Sequence, residues 1–177
     1  MRRHEIAKKS ILLVQGNTGH TILAMKWLEL KIPPPAVAAL IAAAMWGLSM
    51  ILPLLVLPAL ARVATAIALA LAGVCFTLSG VFSFRRAKTT VNPMKPAAAA
   101  SLVKSGIYKL TRNPMYLGLL FVLVAWAIWL SCAWALLGPI GFVLYINRFQ
   151  IAPEERVLST LFGADYATYR SRVRRWL

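Results

Sequence analysis

Four stretches of this chain carry no charged residue: 36–57, 63–84, 115–131 and 133–146. A helix that crosses a bilayer needs about 20 mostly apolar residues, within a range of about 17–25. The first two stretches clear that length. The last two are shorter and meet at Ser131-Cys132. Joined, they would be too long for one crossing, so they read as a helical hairpin. The chain is 60% hydrophobic and 14% charged, against about 25% charged residues in a soluble domain. The expected fold class is an all-α integral membrane protein. It has four transmembrane helices, the last two a hairpin, with a cytoplasmic loop and a C-terminal interfacial amphipathic helix.

The cations orient this arrangement. Of 20 Lys and Arg, six precede the first span (Arg2, Arg3, Lys8, Lys9, Lys26, Lys31). Seven separate spans two and three (Arg85, Arg86, Lys88, Lys95, Lys104, Lys109, Arg112), and six follow span four (Arg148, Arg156, Arg170, Arg172, Arg174, Arg175). Only Arg62 falls elsewhere. Four spans put those three segments on one side, and the excess of positive charge makes that side cytoplasmic. The expected organisation is a cytoplasmic lead over 1–35, spans one and two over 36–84, and a cytoplasmic loop over 85–114. The hairpin then occupies 115–149 and the C-terminal cytoplasmic helices 150–177. Short loops and a simple core point to a bacterial inner membrane with both termini cytoplasmic.

A net charge of +15 does not call for nucleic acid. Basic residues beside apolar spans are topology signals and contacts to anionic headgroups. Cys75 and Cys132 lie in or beside spans, and His4 and His20 lie in the lead. No metal-ligand spacing and no disulfide framework results.

Local signals refine the elements. The run 11–14 is too short for a signal-peptide core. Met25 is an alternative start that would leave 1–24 as an upstream extension. Pro33-Pro34-Pro35 stiffens the approach to span one, and Pro58 helps make the outer turn. Ala64, Ala68, Ala72 and Ser79 offer a small face for helix contact. Asn92-Pro93 and Lys95-Pro96 break any helix, and 97–103 reads as a short one. Gly106 is expected to be left-handed, and Pro114 to sit in the first turn of span three. Trp126, Trp129 and Trp134 suit an aromatic belt. Gly138-Pro139 predicts a kink in span four. Pro153 fits the start of a new helix, with Glu154 and Glu155 at its positive end. Asp165 reads as the cap of a last helix on which Tyr166, Tyr169, Val173 and Trp176 share a face.

The polar residues cluster on that one cytoplasmic side. Glu154 and Glu155 can complement a helix dipole, or hold a cationic or hydroxyl-rich ligand. Arg148 and Arg112 can snorkel, or clamp a carboxylate or phosphate with a forked guanidinium. Tyr108 and Tyr116 flank a proline turn, which favours a pocket wall. Asn113 can meet a base edge or cap span three.

Ser105-Gly106-Ile107-Tyr108 is followed by Arg112-Asn113-Pro114-Met115-Tyr116-Leu117-Gly118. Glu154-Glu155 come next, then Leu158, Phe162-Gly163, Tyr166 and Tyr169. In order and spacing these residues resemble the isoprenylcysteine carboxyl methyltransferase family, with which phospholipid methyltransferases share parts of the pattern. The resemblance covers residues 85–175. It implies an integral-membrane enzyme using S-adenosyl-L-methionine and releasing S-adenosyl-L-homocysteine. Its cofactor pocket would open to the cytosol, and a lipid-facing tunnel would admit a lipophilic or lipidated acceptor. By position, Ser101, Leu102, Val103, Tyr108, Asn113, Pro114, Met115, Tyr116 and Glu154 would bind the cofactor. Gln150 stands where a family arginine meets substrate, and Arg148, half a turn away, is the candidate replacement. Arg148 and Glu155 are the catalytic candidates, Glu155 as a base if the acceptor is an amine. Asn113 stands where the family often has His, and Asn does not titrate near neutral pH. No glycine fingerprint of a Rossmann domain is present.

A carboxylate acceptor, already anionic, is the expected target. The rival readings are N-methylation of an ethanolamine headgroup, a non-catalytic scaffold or transporter subunit, and a sterol-type reductase. This chain is small for the last.

Overall fold

The computed structural model describes residues 28–53, 55, 58–87, 94, 96–98 and 100–177. The expectations placed on 1–27, and on Asn92, Pro93 and Lys95, lie outside the described residues. The described residues form helices and turns, with no strand.

Helix α1 runs Pro34–Ser49 behind Pro33. The apolar run continues to Leu57, but the helix stops early. Its exit tightens into short bonds from Met50 N to Gly47 O and Ile51 N to Leu48 O. Pro53 follows, which has no N–H to extend the ladder. The expected span of 36–57 is thus corrected to 16 helical residues, about 24 Å of rise. Helix α2, Ala59–Arg86, and helix α3, Pro114–Leu130, fall where expected. Pro114 occupies the first turn of α3, and Ser131, left-handed at φ 50°, ends it.

From there the chain is helical for 40 residues, Ala133–Arg172. It passes through a 3-10 turn (Ala133–Leu136), α4 (Leu137–Ile146), a π turn (Asn147–Ile151) and α5 (Ala152–Arg172). Gly138-Pro139 lies at the start of α4 rather than at a break within a span. No separate helix begins at Pro153. Pro153 instead sits just past the π turn, and it cannot donate to the carbonyl of Phe149. That carbonyl accepts from Leu30 N at 3.0 Å. The π turn therefore has a local cause, a proline inside a continuing helix. Glu154 and Glu155 do not face a free helix N-terminus, so a dipole role for them is excluded.

The last break is at Gly163 (φ 46°, ψ −120°), a conformation glycine tolerates. The expected cap Asp165 is an exposed residue two positions later, 3.6 Å from Lys104. The final helix ends at Arg172, and Val173 is extended. Trp176 therefore leaves the helical face it was expected to share with Tyr166 and Tyr169. The expected helix over 97–103 is replaced by 3-10 turns at Pro96–Ala98 and Gly106–Lys109. Gly106 is left-handed at φ 62°, as expected.

The α2 and 133–172 helices are long and apolar enough to cross a membrane; α1 and α3 are apolar but shorter. Outward side chains of α2, among them Leu60, Ile67, Leu71 and Phe82, are exposed. Such an exposed apolar face is consistent with a helix in contact with lipid. The packed face of α2 is Ala66, Gly73 and Gly80, spaced by seven, while Ala64, Ala68 and Ser79 are exposed. At the crossing with α3 the backbones nearly touch. A Cβ on Gly118 would collide with Thr77 Oγ1 and lie 2.5 Å from Gly73 O. Without a hydrophobic drive between helices in lipid, such close backbone approach is what holds them. The core proper joins Met45, Leu123, Phe142, Ile146 and Ile151, with Tyr116 at its edge.

Candidate functional site

Three segments converge at one end of the bundle: the loop 101–113 with the first turn of α3, the π turn with the first turn of α5, and the tail 173–177. Their approach brings together residues far apart in sequence.

The centre is Glu154. Its Oε1 accepts from Tyr116 Oη at 2.5 Å and from Gln150 Nε2 at 2.6 Å. Tyr116 and Gln150 are buried and Glu154 is half-buried. Burial pushes the Glu154 carboxyl up to about 7, against the opposing pull of its hydrogen bonds from Tyr116 and Gln150, while the charge of Glu155 raises it further. Tyr108 is buried beside this group. Burial first, then Tyr169 and Glu154, drives its phenol well above the usual range. Its ring stands edge-on to Phe84 at 5.4 Å, and its carbonyl accepts from Tyr169 Oη at 2.7 Å.

Glu155 has a different company. Arg112 Nη1 approaches Oε1 at 3.0 Å. Arg175 adds a fork, Nε to Oε1 at 3.1 Å and Nη2 to Oε2 at 2.6 Å. The tail is tied down at several further points. Its Arg174 carbonyl accepts from Arg112 N at 3.0 Å. The Arg175 carbonyl accepts from Thr111 Oγ1 at 3.2 Å and Asn113 Nδ2 at 2.9 Å. Trp176 Nε1 donates to Asn147 Oδ1 at 3.2 Å. Arg112 Nε is buried and has no acceptor among the described residues, so a buried donor there is left for an outside acceptor.

Most residues picked from the sequence meet here. Tyr108, Tyr116, Gln150 and Glu154 share the inner cluster, while Pro114 and Met115 lie against Gly80 of α2 and the half-buried Asn113 holds the tail. Asn113 makes no side-chain cap on α3; its Nδ2 donates to the tail. Val103 is buried, Ser101 and Leu102 are half-buried, and Ser101 Oγ donates to Ala87 O at 3.3 Å. Arg148 does not join them. It pairs with Glu29 at 3.0 Å, and Arg156 contacts the same carboxylate.

Tyr169, named in the family pattern, joins the site through its bond to Tyr108 O, whereas Thr111, Asn147 and Arg175 belong to the site's frame and were not singled out for it. Thr111, fully buried next to Arg112-Asn113-Pro114, extends that motif by one residue. The others carried no separable signal, since Arg175 lies in a basic run that reads as topology.

A family model described as phospholipid methyltransferase matches residues 61–165, more than half of the chain. A 63-residue match, 54% identical, covers 36% of this chain and all of an uncharacterized protein of Haemophilus influenzae. A protein-S-isoprenylcysteine O-methyltransferase of Saccharomyces cerevisiae is 36% identical over 78 residues, 41% of this chain and 30% of that protein. A methanethiol S-methyltransferase of Bradyrhizobium diazoefficiens is 42% identical over 67 residues, 38% of this chain and 22% of that one. The chain thus spans less than a third of the two relatives with a stated activity. No solved structure matches.

Proposed function

The chain belongs to the phospholipid methyltransferase family, and from that premise we propose a membrane methyltransferase that uses S-adenosylmethionine on a lipophilic acceptor. In this reading the bundle makes four crossings, with the Glu154 end and both termini on the cytoplasmic side. The observation that carries the proposal is the junction of Tyr116, Gln150 and Glu154. A buried-edge carboxylate with neutral donors around it is a site for a cation.

The residues present fit the cofactor's polar end. An α-amino acid group carries both charges. Glu154 offers a carboxylate to its ammonium, and the unpartnered Arg112 Nε offers a donor to its carboxylate. Tyr108 and Tyr116 would wall the pocket, with Met115 and Val103 as apolar lining. Ser101, Leu102, Asn113 and Pro114 would complete it from the loop. When bound, the cofactor supplies an electrophilic methyl on a sulfonium. The chain's task is then alignment and exclusion of water, effects that can supply about 7–11 kcal/mol. Arg148 and Gln150 would meet the acceptor. Arg148 stands on the outer side of the π turn, where Glu29 occupies it as an acceptor carboxylate would.

Carboxyl methylation is the leading version, and it needs no base. N-methylation of an ethanolamine headgroup is the second. In that version Glu154, its carboxyl pushed up to about 7 by burial, would take the acceptor ammonium's proton rather than pair with the cofactor's ammonium. Glu155, held by two guanidiniums, is poorly placed to serve as that base.

The test is transfer of labelled methyl from S-adenosylmethionine to lipid and protein in membranes carrying the full chain. Alkali releases a methyl ester as methanol and leaves N-methyl groups in place. Volatile label lost in Glu154→Gln supports carboxyl methylation, and stable label in headgroups supports the second version. Label equal to that of empty membranes, from folded protein, overturns both.

A further inference from the structure

At the end of the bundle opposite Glu154, Arg62 is the one cation outside the three basic segments. It sits in the first turn of α2, half-buried. Its Nη1 donates to Ser131 Oγ at 3.1 Å, and its guanidinium lies 6.0 Å from the Trp129 ring centroid. Its Nε is buried and has no acceptor among the described residues. The four described acids do not serve it. Glu29 pairs with Arg148, Glu155 with Arg112 and Arg175, Asp165 with Lys104, and Glu154 bonds Tyr116 and Gln150. Among the described residues Arg62 is a buried-edge cation without a counter-ion.

Beside it is an apolar slot of about 500 Å³ between α1, α2 and α3. Ala38, Ala42, Ala66 and Ala70 leave the room for it, because their side chains are short. Trp126 and Trp129 form a wall, and Trp126 is fixed by donating Nε1 to Ala42 O at 3.1 Å. Trp129 belongs to both features: it lines the slot and lies against the guanidinium. A forked cation thus lies across Trp129 from a slot that is almost free of polar atoms. The volume is on the scale of ligand sites, about 300–1,000 Å³.

We propose that Arg62 and this slot bind an anionic phospholipid, one acyl chain in the slot and the phosphate diester on the guanidinium. The charge selects the anion, since guanidinium matches phosphate in a forked geometry. The apolar outward faces select the source, because a bilayer surrounds the helix that carries Arg62. The site is separate from the Glu154 cluster and does not rest on the proposed methyl transfer.

The test is lipid retention by the full chain in mild detergent, read by native mass spectrometry, with phosphatidylglycerol and phosphatidylcholine offered in equal amounts. The parent should retain phosphatidylglycerol with about tenfold preference, which Arg62→Gln abolishes. Ala66→Phe, which fills the slot, should remove both lipids. Circular dichroism melts of each variant check that the helices remain folded. Equal preference in Arg62→Gln and parent overturns the proposal. So does parent-like retention in folded Ala66→Phe, which decides the matter even if Arg62→Gln proves unstable. Loss of methyl transfer in Ala66→Phe with phosphatidylglycerol still bound also overturns it, because the slot would then belong to the acceptor.

Discussion

Replacing Arg175 with Ala should destabilise the protein by about 2 kcal/mol, and the size follows from its surroundings. The side chain makes two charge-assisted bonds to Glu155, 3.1 and 2.6 Å long. Hydrogen bonds to charged groups contribute about 1.5–3 kcal/mol each. The Arg175 side chain is 37% exposed, however, while that of Glu155 is 12% exposed. Solvent therefore weakens the pair toward the smaller value of exposed ion pairs, about 0.2–1 kcal/mol. Glu155 also keeps Arg112 at 3.0 Å, so no carboxylate is orphaned. The loss stays below the 3–5 kcal/mol typical of a broken buried pair. The tail's backbone bonds to Thr111 and Asn113 survive, since they use the Arg175 carbonyl. Glu155→Gln should cost more, about 3 kcal/mol, because it leaves two guanidiniums facing one amide. The assay is thermal unfolding of both single variants and the double variant in one detergent. At about 2–4 °C per kcal/mol for a chain of this size, Arg175→Ala should melt about 4–8 °C below the parent. The cycle should give a coupling of about 1–2 kcal/mol. A shift under about 1 °C with no coupling would mean the tail is not held by this pair.

Gly118→Ala should lower stability by about 1–3 kcal/mol through overpacking, because its Cβ meets the backbone of α2 as well as Thr77 Oγ1. Melting curves check this, and an unchanged midpoint would show that α2 and α3 cross less closely. The Glu154 carboxyl, near 7 in the fold against 4.5 in the open chain, favours its protonated form when folded. Its contribution is fully present below about pH 4.5 and is lost as pH rises through about 7, on the order of 3 kcal/mol in all. Melting should therefore fall between pH 5 and 8, and Glu154→Gln should flatten that fall.

Much of this site was legible because its motifs are local. Arg112 to Gly118 and Glu154-Glu155 stand out as polar islands against apolar runs, and the helices α2 and α3 follow from uninterrupted hydrophobicity. The end of α1 did not follow, because residues 50–57 are as apolar as the helix before them, and hydropathy alone does not separate helix from turn. The π turn was hidden for another reason. Pro153 reads as a helix start unless something donates to the freed Phe149 carbonyl, and the group that does so, Leu30 N, lies far back in the chain. Arg175 was masked by its neighbours, since four arginines between positions 170 and 175 look alike until the fold places one against Glu155.

The two adjacent acids illustrate how a continuous helix divides labour. Consecutive residues on a helix point about 100° apart. Glu154 therefore turns toward α3 and meets only the neutral donors Tyr116 and Gln150 among its hydrogen-bond partners. Glu155 turns toward the loop and tail and is matched by two guanidiniums. A helix starting at Pro153 would have given both acids the same partner, the free N–H groups of its first turn. Because the π turn carries the helix through, those groups are already engaged, and each acid takes its chemistry from the side it faces. Glu155 is neutralised by the protein itself and fixes the tail. Glu154 has no cationic partner among the described residues, so it is the acid that an incoming cation would meet.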